Sequence, residues 1–358
     1  MTIACVEPIP FAIPLRTPLR TAFGVIELRR GILVLLTDTT GYVGLGEAMP
    51  HPAAAPDALA RTGDDLARAA RWLTGADPSR TDDLLRAAAR LTRPAAMAVD
   101  MALHDLLGAA TGQPVVDLLG GARRSTVSTS ALLRDGDDAA CATEARDATT
   151  RGFTTAKIKI GPDAGAAVTR VHAVRTAAPE LALRCDANGV WDADTAIAVA
   201  RRLAALDVAW IEQPVQAADL CGLRHVRLDG GLAVAADEAV TGVDAITRLA
   251  GAADVAVLKL VQLGGLAAAR ATAAAARAHG MRVTVTTGLE TGVARAAALH
   301  LAAALPDPLE PCGLATAGVL AGDLVLDACD DGPETTAPER PGLGVRLDPA
   351  AIARWRLR

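Results

Sequence analysis

Five strand-like segments that end in charged residues follow one another along the middle of the chain at nearly equal intervals. The charged residues are Lys159, Asp186, Glu212, Asp237 and Lys259, and neighbours in this series are 22 to 27 residues apart. An interval of this length holds one β-strand, one α-helix and their connections. Repeated strand–helix units imply a parallel sheet, and a succession of eight implies a sheet closed into a barrel.

The predicted barrel covers residues 123–318, with helices rich in Ala, Arg, Asp and Leu between its strands. Its eight strands are expected at about 125–133, 154–160, 181–186, 208–212, 232–237, 254–260, 281–286 and 312–316. In a barrel of this kind the functional side chains lie at the carboxyl ends of the strands.

Residues 1–122 have a different pattern, which predicts a separate α+β domain. Alternating apolar residues predict three antiparallel strands, at about 3–6, 31–37 and 42–47. The prolines of residues 14–24 predict a loop, and helical periodicity begins at about residue 56. The irregular residues 319–358 are expected to fold back onto this domain.

Composition excludes several classes of protein. The net charge is −5, and the arginines alternate with acidic residues, so no basic surface for nucleic acid is expected. No apolar run approaches the length of a membrane span, and no signal peptide is evident, which predicts a cytoplasmic protein. The six cysteines lack CxxC spacing and are expected to be reduced thiols.

The acidic residues of the series predict a metal centre. Asp186, Glu212 and Asp237 end three successive strands, so their carboxylates should converge and repel one another unless a cation lies between them. Carboxylate oxygens without histidine or cysteine favour a hard ion, with Mg²⁺ expected first and Mn²⁺ second. A single aspartate at a strand end is more often a helix cap, but three at regular intervals favour a metal.

The lysines predict acid–base chemistry. Lys157, Lys159 and Lys259 are the only lysines of the chain. A period of two puts Lys157 and Lys159 on one face of their strand, where Lys157 and a cation favour the neutral amine of Lys159. Lys159 and Lys259 flank the acidic strands, so a bound substrate meets one amine on each side. The metal is expected to bind a substrate carboxylate and to stabilise the enediolate that forms when the α-proton leaves.

These motifs resemble the enolase superfamily, in its muconate-lactonizing-enzyme subgroup. The matching segments are Lys157-Ile-Lys159, Asp186-Ala-Asn188, Glu212-Gln-Pro214, Asp237-Glu238, Lys259 and Gly264-Gly265. The resemblance implies an α/β fold, a modified (β/α)7β TIM barrel with an N-terminal α+β capping domain that the C-terminal segment completes. It implies Asp186, Glu212 and Asp237 as Mg²⁺ ligands, and Lys159 with Lys259 as the acid–base pair.

The resemblance also implies supporting residues. Lys157, Asn188 and Glu238 are expected to support catalysis, the last two by orienting the ligands. Glu47 is interpreted either as a cap residue that faces the barrel mouth or as part of a salt bridge. Members of the family often form dimers or octamers, so a homo-oligomer is expected, with a small carboxylate as substrate.

The core motifs do not separate the reactions of this subgroup, which include cycloisomerisation of muconates, epimerisation of dipeptides, racemisation of N-acylamino acids and synthesis of o-succinylbenzoate. The Asp-x-Asp motif of dipeptide epimerases is missing from residues 286–292, whereas 289–292 and 311–316 resemble o-succinylbenzoate synthases and N-succinylamino acid racemases. We therefore predict a Mg²⁺-dependent dehydration, with the racemase as the main alternative and the cycloisomerase as the third. A non-catalytic binding protein is disfavoured because all five core residues are present.

Substrate contacts are expected from the loops that meet the barrel mouth. The candidates are Arg20, Thr21, Phe23, His51 and Glu290. His51 stands where an apolar residue is expected, and a histidine on a surface loop is the alternative interpretation.

Overall fold

A computed structural model describes residues 1–21, 24–52, 54–134 and 137–357, without the side chains of Arg20 and Thr21. Near the N-terminus, three antiparallel strands form a sheet of order β1-β2-β3. They are β1 (Ile3–Thr21), β2 (Gly24–Asp38) and β3 (Val43–Ala48).

The predicted loop at 14–24 is wrong, because β1 continues through most of it as one arm of a long hairpin. The pairing of β1 with β2 shifts register between Pro14, opposite Leu28, and Leu19, opposite Ile26. Pro18 lies inside this shift, where the regular ladder of hydrogen bonds is interrupted and its missing N–H costs nothing. A register shift depends on the partner strand, so the proline pattern alone could not reveal it.

Four helices follow and complete the α+β part. They are α1 (Ala58–Leu73), α2 (Thr81–Ala88), α3 (Arg93–Thr111) and α4 (Val115–Leu119). Strand β3 lies directly against α3, since a Cβ added at Gly46 would be 1.9 Å from the carbonyl oxygen of Ala98. Helix α3 ends at Gly112, whose φ of 73° is the left-handed conformation that glycine favours.

The second part alternates strands and helices as predicted. Its strands are β4 (Val127–Ser128), β5 (Ala131–Leu133), β6 (Thr155–Lys159), β7 (Ala182–Asp186), β8 (Val208–Glu212), β9 (Val234–Ala236), β10 (Val255–Lys259) and β11 (Arg282–Thr286). Its helices are α5 (Asp138–Thr150), α6 (Ala164–Ala177), α7 (Ala193–Ala204), α8 (Leu220–Asp229), α9 (Val243–Leu249), α10 (Leu260–Leu263), α11 (Leu266–Ala278) and α12 (Gly292–Ala304). Strands β5 to β11 form one parallel sheet in sequence order.

The barrel closes through less regular structure than the sequence predicts. The expected strand at 312–316 is reduced to two bridges, one between Cys312 and Thr129 and one between Gly313 and Thr286. The expected strand at 125–133 is divided into β4 and β5, and β4 pairs with β12 (Glu334–Thr335). The fold is the predicted modified (β/α)7β TIM barrel with an N-terminal α+β cap.

The C-terminal segment contacts both parts of the chain. Arg356 forms a bridge with Phe11 of β1, and the N–H of Leu343 donates to Asp105 of α3 at 2.6 Å. The N–H of Thr129 near the barrel donates to the carbonyl of Pro333. The segment is also more ordered than expected, because it ends in α13 (Pro349–Trp355). The boundary between residues 122 and 123 stays a prediction.

A ring of charged and aromatic side chains fills the interior between the barrel strands. The guanidinium carbon of Arg184 lies 3.9 Å from the centre of a Trp210 ring. The carboxylate of Glu310 bonds to Arg184 at 3.1 Å and to Arg282 at 2.8 Å, so one negative charge is shared between the two guanidinium groups. Among the described residues, none of the helices combines the length and the apolar composition that a bilayer crossing requires.

Candidate active site

The charged residues of the series meet at one end of the barrel. Lys159, Asp186, Glu212 and Lys259 are the last residues of β6, β7, β8 and β10, and Asp237 directly follows β9. The strands are parallel and adjacent, so these residues lie side by side at the carboxyl end of the sheet.

The three carboxylates form a buried cluster. Asp186, Glu212 and Asp237 each place an oxygen within 4.8 Å of the others, and they are 0%, 2% and 0% exposed. Ammonium groups surround the cluster. Lys157 lies 2.8 Å from Asp186 and 2.7 Å from Glu212. Lys159 lies 2.6 Å from Asp186, and Lys259 lies 2.5 Å from Asp237. Each lysine side chain is at most 24% exposed, so none lies freely on the surface.

Burial and charge oppose each other in this cluster. Burial alone would raise the pKa of Asp186, but Lys157 and Lys159 outweigh it and lower that pKa. Lys259 in the same way lowers the pKa of Asp237. Burial raises the pKa of Glu212 to about 8, because Lys157 offsets only part of it and the other two carboxylates add to it. Burial disfavours the charged form of Lys157, yet its carboxylate neighbours raise its pKa.

The cluster fits a divalent cation. Its donors are carboxylate oxygens, which suit a hard ion such as Mg²⁺ or Mn²⁺. Oxygen Oδ1 of Asp237 is buried and has no hydrogen-bond partner among the residues that the structure describes. A buried acceptor without a partner is costly, and a cation would satisfy it.

Asn188 and Glu238 connect the lysine to the carboxylates. Asn188 accepts a hydrogen bond from Lys159 at 2.8 Å and donates one from its side chain to Glu238 at 2.9 Å. Its backbone N–H donates to Asp186 at 3.0 Å. Gln213, to which the sequence analysis assigned no role, accepts from the N–H of Asp237 at 3.0 Å. These contacts fix the turns that carry the acidic cluster.

A cavity of about 780 Å³, open solvent at its mouth included, lies above the cluster. Lys157, Lys159 and Lys259 are its charged lining residues. Its other described lining residues are neutral: Leu19, Ile26, His51, Pro52, Ser130, Ala131, Leu132, Asn188, Thr286, Thr287, Gly288, Leu289, Gly313 and Thr316. Leu19 and Ile26 come from the β1–β2 hairpin, so the cap closes one side. This position agrees with the expectation that the segment containing residues 20–23 meets the barrel mouth, although the sequence predicted a loop there and not a hairpin.

The predicted substrate contacts differ in their positions. His51 lies in a loop, is half-buried and lines the cavity, and its contact with substrate stays a prediction. Burial lowers the pKa of His51 to about 4, and the charge of Lys259 adds to this effect. Glu290 is 4% exposed and is not among the lining residues; its carboxylate accepts from the N–H of Gly288 at 2.5 Å. The side chains of Arg20 and Thr21, and the whole of Phe23, lie outside the described part of the chain.

Glu47 caps a barrel helix. It is fully buried and accepts hydrogen bonds from the N–H of Thr291 at 3.0 Å, the hydroxyl of Thr291 at 2.6 Å and the N–H of Ala294 at 3.1 Å. These donors belong to the first turn of α12, where a carboxylate is favoured. Glu47 belongs to the capping domain, but it is not among the described lining residues of the cavity, so its carboxylate holds the start of α12 and does not face the barrel mouth.

Comparisons with known proteins agree with the fold. Residues 5–120 match the sequence model of the mandelate racemase / muconate lactonizing enzyme N-terminal domain, and residues 140–351 match that of the enolase C-terminal domain-like family. A chloromuconate cycloisomerase from Pseudomonas putida is 30% identical over 98% of this chain and 97% of its own length. An o-succinylbenzoate synthase from Thermobifida fusca is 40% identical over 193 residues, which are 52% of this chain and 58% of that protein. The solved N-succinyl Arg/Lys racemase from Bacillus cereus superimposes with a TM-score of 0.94 at 25% identity, covering 100% of this chain and 99% of its own.

Proposed function

This chain belongs to the mandelate racemase / muconate lactonizing enzyme family of the enolase superfamily, and we propose that it removes the proton next to the carboxylate of a small organic acid. Lys159 is the base that takes this proton, and Lys259 acts from the opposite side of the cavity. Lys157, Asn188 and Glu238 hold the base and the carboxylates in place.

Asp186, Glu212 and Asp237 are proposed to hold Mg²⁺, with Mn²⁺ as the alternative. The bound ion supplies positive charge where negative charge develops on the substrate carboxylate. The three lysines neutralise these carboxylates in the absence of a cation. A cation held by the carboxylates would provide that neutralising charge instead, which would leave Lys159 and Lys259 to act on the substrate as acid–base groups.

The observation that carries the proposal is the distribution of charge around the cavity. Lys159 and Lys259 line it from strands on either side of the acidic cluster, and no aspartate or glutamate is among its described lining residues. Among these described residues a substrate with a free ammonium group has no carboxylate partner, which disfavours a dipeptide. The lining favours an acid whose remaining surface is apolar or neutral.

Within this class we propose the synthesis of o-succinylbenzoate from its cyclohexadiene precursor. Lys159 takes the proton from the ring carbon that carries the carboxylate. The electron pair of that C–H bond forms the last double bond of the ring and expels hydroxide from the neighbouring carbon. Hydroxide and the abstracted proton together account for one water, and the ring becomes aromatic. Lys259 stabilises the electron-rich ring by a cation–π contact.

Two observations support the synthase. The relative with 40% identity over 193 residues is an o-succinylbenzoate synthase. Leu19, Ile26, Pro52 and Leu132 give the cavity an apolar side for a carbocyclic ring. The paired lysines equally suit an N-succinylamino acid racemase, in which Lys259 returns a proton to the opposite face, and the racemase from Bacillus cereus shares the whole fold. The muconate cycloisomerase is the third candidate, because a chloromuconate cycloisomerase is similar over nearly the full length.

Proton NMR in D₂O with Mg²⁺ separates these reactions. The purified protein is given the cyclohexadiene precursor and an N-succinyl-L-amino acid in separate samples, and cis,cis-muconate in a third. Aromatisation of the first without α-deuteration of the second establishes the synthase. Deuteration and racemisation of the second with an unchanged first sample establishes the racemase instead. The Lys159→Ala variant is the matched control, since every enzymatic signal must disappear with it.

A further inference from the structure

Arg29 joins two walls of the cavity that come from different parts of the chain. It lies in β2 of the cap and is 3% exposed. Its Nη1 donates to the carbonyl of Pro50 at 3.0 Å, and its Nε lies 3.4 Å from the carbonyl of Leu289. Pro50 precedes His51 in the cap wall of the cavity, whereas Leu289 lines the barrel wall. One guanidinium group therefore spans the junction of cap and barrel at the rim of the site.

The surrounding charges retain Arg29 in its cationic form. Burial lowers the pKa of Arg29, but the carboxylates of Glu290 and Glu47 oppose this effect. Burial also raises the pKa of both glutamates, while the charge of Arg29 lowers that of Glu290. Removing a buried cation from between two buried carboxylates is destabilising, because the carboxylates are then left buried without a positive charge beside them.

The barrel segment that Arg29 contacts adopts an unusual conformation. Leu289 has a φ of 67°, a backbone conformation that residues other than glycine rarely adopt. Backbone amides on both sides of it are fixed by carboxylates: the N–H of Gly288, directly before Leu289, donates to Glu290, and the N–H of Thr291, two residues after it, donates to Glu47. The contact from Arg29 fixes the carbonyl between them. A conformation of this kind persists only where its surroundings determine it.

We infer that Arg29 is a positioning residue for catalysis, which sets the distance between His51 and Leu289 and so the width of the cavity. It does not touch the reacting atoms, and it acts through the two backbone segments that carry these side chains. The planar fork of arginine offers several donors at fixed angles, so it reaches two carbonyls that face it from different directions. A lysine at position 29 would keep the positive charge but would not reach both carbonyls.

Three variants test the inference, and its kinetic readout depends on the proposed function. Arg29→Met removes charge and donors, and Arg29→Lys keeps the charge. Arg30→Met is the control, because Arg30 is the exposed neighbour on the same strand. We expect Arg29→Met to lower kcat/KM about 10-fold or more, mainly through KM, because a displaced wall misplaces the substrate. Arg29→Lys should recover part of this loss, and Arg30→Met should match the wild type.

Hydrogen–deuterium exchange of residues 287–291 gives a readout that needs no substrate. In Arg29→Met these amides should exchange faster than in the wild type and in Arg30→Met, while Mg²⁺ affinity stays unchanged. Should Arg29→Met fail to fold, Arg29→Lys is measured in the same two ways against Arg30→Met. Unchanged exchange at 287–291 in the folded variant overturns the inference, as does a lowered Tm with wild-type KM and kcat. A wild-type protein inactive on all three substrates refutes the three named reactions and places the substrate elsewhere in the superfamily, and the exchange measurement still decides the role of Arg29.

Discussion

The ammonium group of Lys259 lies 2.5 Å from Oδ2 of Asp237, and both side chains are buried. Lys259 ends β10 and Asp237 directly follows the neighbouring strand β9, so the two side chains meet at the carboxyl end of the sheet. In the proposed function, Lys259 acts on the substrate and Asp237 holds the cation. The proposal therefore couples metal binding to the chemistry of this lysine.

Replacing either Lys159 or Lys259, the proposed acid–base pair, should remove nearly all turnover. We expect Lys159→Ala and Lys259→Ala each to lower kcat/KM by at least about 100-fold, because each removes a group that moves a proton or stabilises charge in the transition state. The measurement is the rate of product formation from the accepted substrate. Calorimetric Mg²⁺ binding by each variant is the control for folding. A lysine variant with near wild-type turnover would remove that lysine from the mechanism.

Neutralising one carboxylate should weaken the metal site. Asp237→Asn is expected to reduce Mg²⁺ affinity at least 10-fold, because a charged ligand is lost from a site of three. Asp254→Asn is the matched control, since Asp254 pairs with Arg227 at 2.8 Å at the opposite end of the barrel strands. Isothermal titration calorimetry measures both affinities. Equal affinities in the two variants would contradict the assignment of Asp237 as a ligand.

Removing the metal should lower thermal stability. A cation that binds only the folded state stabilises it by about 2.7 kcal/mol at 100 times its Kd. We expect Tm to rise with added Mg²⁺ and to fall when EDTA removes it, as followed by scanning calorimetry. Asp237→Asn should show a smaller response at equal Mg²⁺ concentration. A wild-type Tm that does not respond to Mg²⁺ would argue against the site.

Glu47 should make stability depend on pH. Burial raises the pKa of Glu47 from 4.5 to about 7, although hydrogen bonds from Thr291 oppose it. The folded state therefore binds this proton more tightly than the unfolded state, so the stabilising contribution is complete below pH 4.5 and is lost as pH rises to about 7. A shift of this size corresponds to roughly 3 kcal/mol, at about 1.4 kcal/mol per pKa unit.

Glu47→Gln isolates this contribution from that of other buried groups such as Glu290. The amide oxygen of glutamine can still accept from Thr291, but it does not titrate. Denaturant unfolding at several pH values should show that the free energy of unfolding falls more steeply between pH 4.5 and 7 in the wild type than in the variant. Parallel pH profiles would show that Glu47 does not titrate in this window.

Strand β3 should tolerate no side chain at Gly46. A Cβ at this position would lie 1.9 Å from the carbonyl oxygen of Ala98, so strand and helix must separate. We expect Gly46→Ala to lower the free energy of unfolding by at least about 3 kcal/mol. Gly63→Ala is the control and should change the free energy of unfolding in the opposite direction. Gly63 lies in helix α1, and a Cβ there would meet only a side-chain carbon of Ile32, at 3.6 Å. There alanine should stabilise by up to about 1 kcal/mol.

The sequence predicted the barrel and the convergence of its charged residues because both depend on local order. The charges recur once per strand–helix unit, and parallel strands bring them to the same end of the sheet. Lys157 and Lys159 contact the same carboxylate, as a period of two requires. This part of the site could therefore be predicted without knowing which distant segments of the chain contact each other.

The remaining features depend on pairings between distant parts of the chain. The strand through Pro14 exists because β2 pairs with it across a register shift. The contact of Arg29 with Leu289 joins residues 260 positions apart. Glu290 was predicted to meet substrate, but it points toward Gly288 and is buried beside Arg29. No periodicity within a segment encodes these relationships.

Different segments close the barrel and bring Thr316 to the cavity, whereas a regular eighth strand would do both. Backbone bonds from Gly313 to Val285 and from Cys312 to Ser128, both 2.8 Å long, close the ring. The chain then leaves the sheet, so Thr316 reaches the cavity from a segment that carries no part of the sheet ladder. Core packing and side-chain bonds hold this segment instead, because Leu314 and Val319 are buried and the N–H groups of Ala317 and Gly318 donate to Asp331. The position of Thr316 in the cavity is therefore set by Asp331 and the core, independently of the backbone bonds that close the ring.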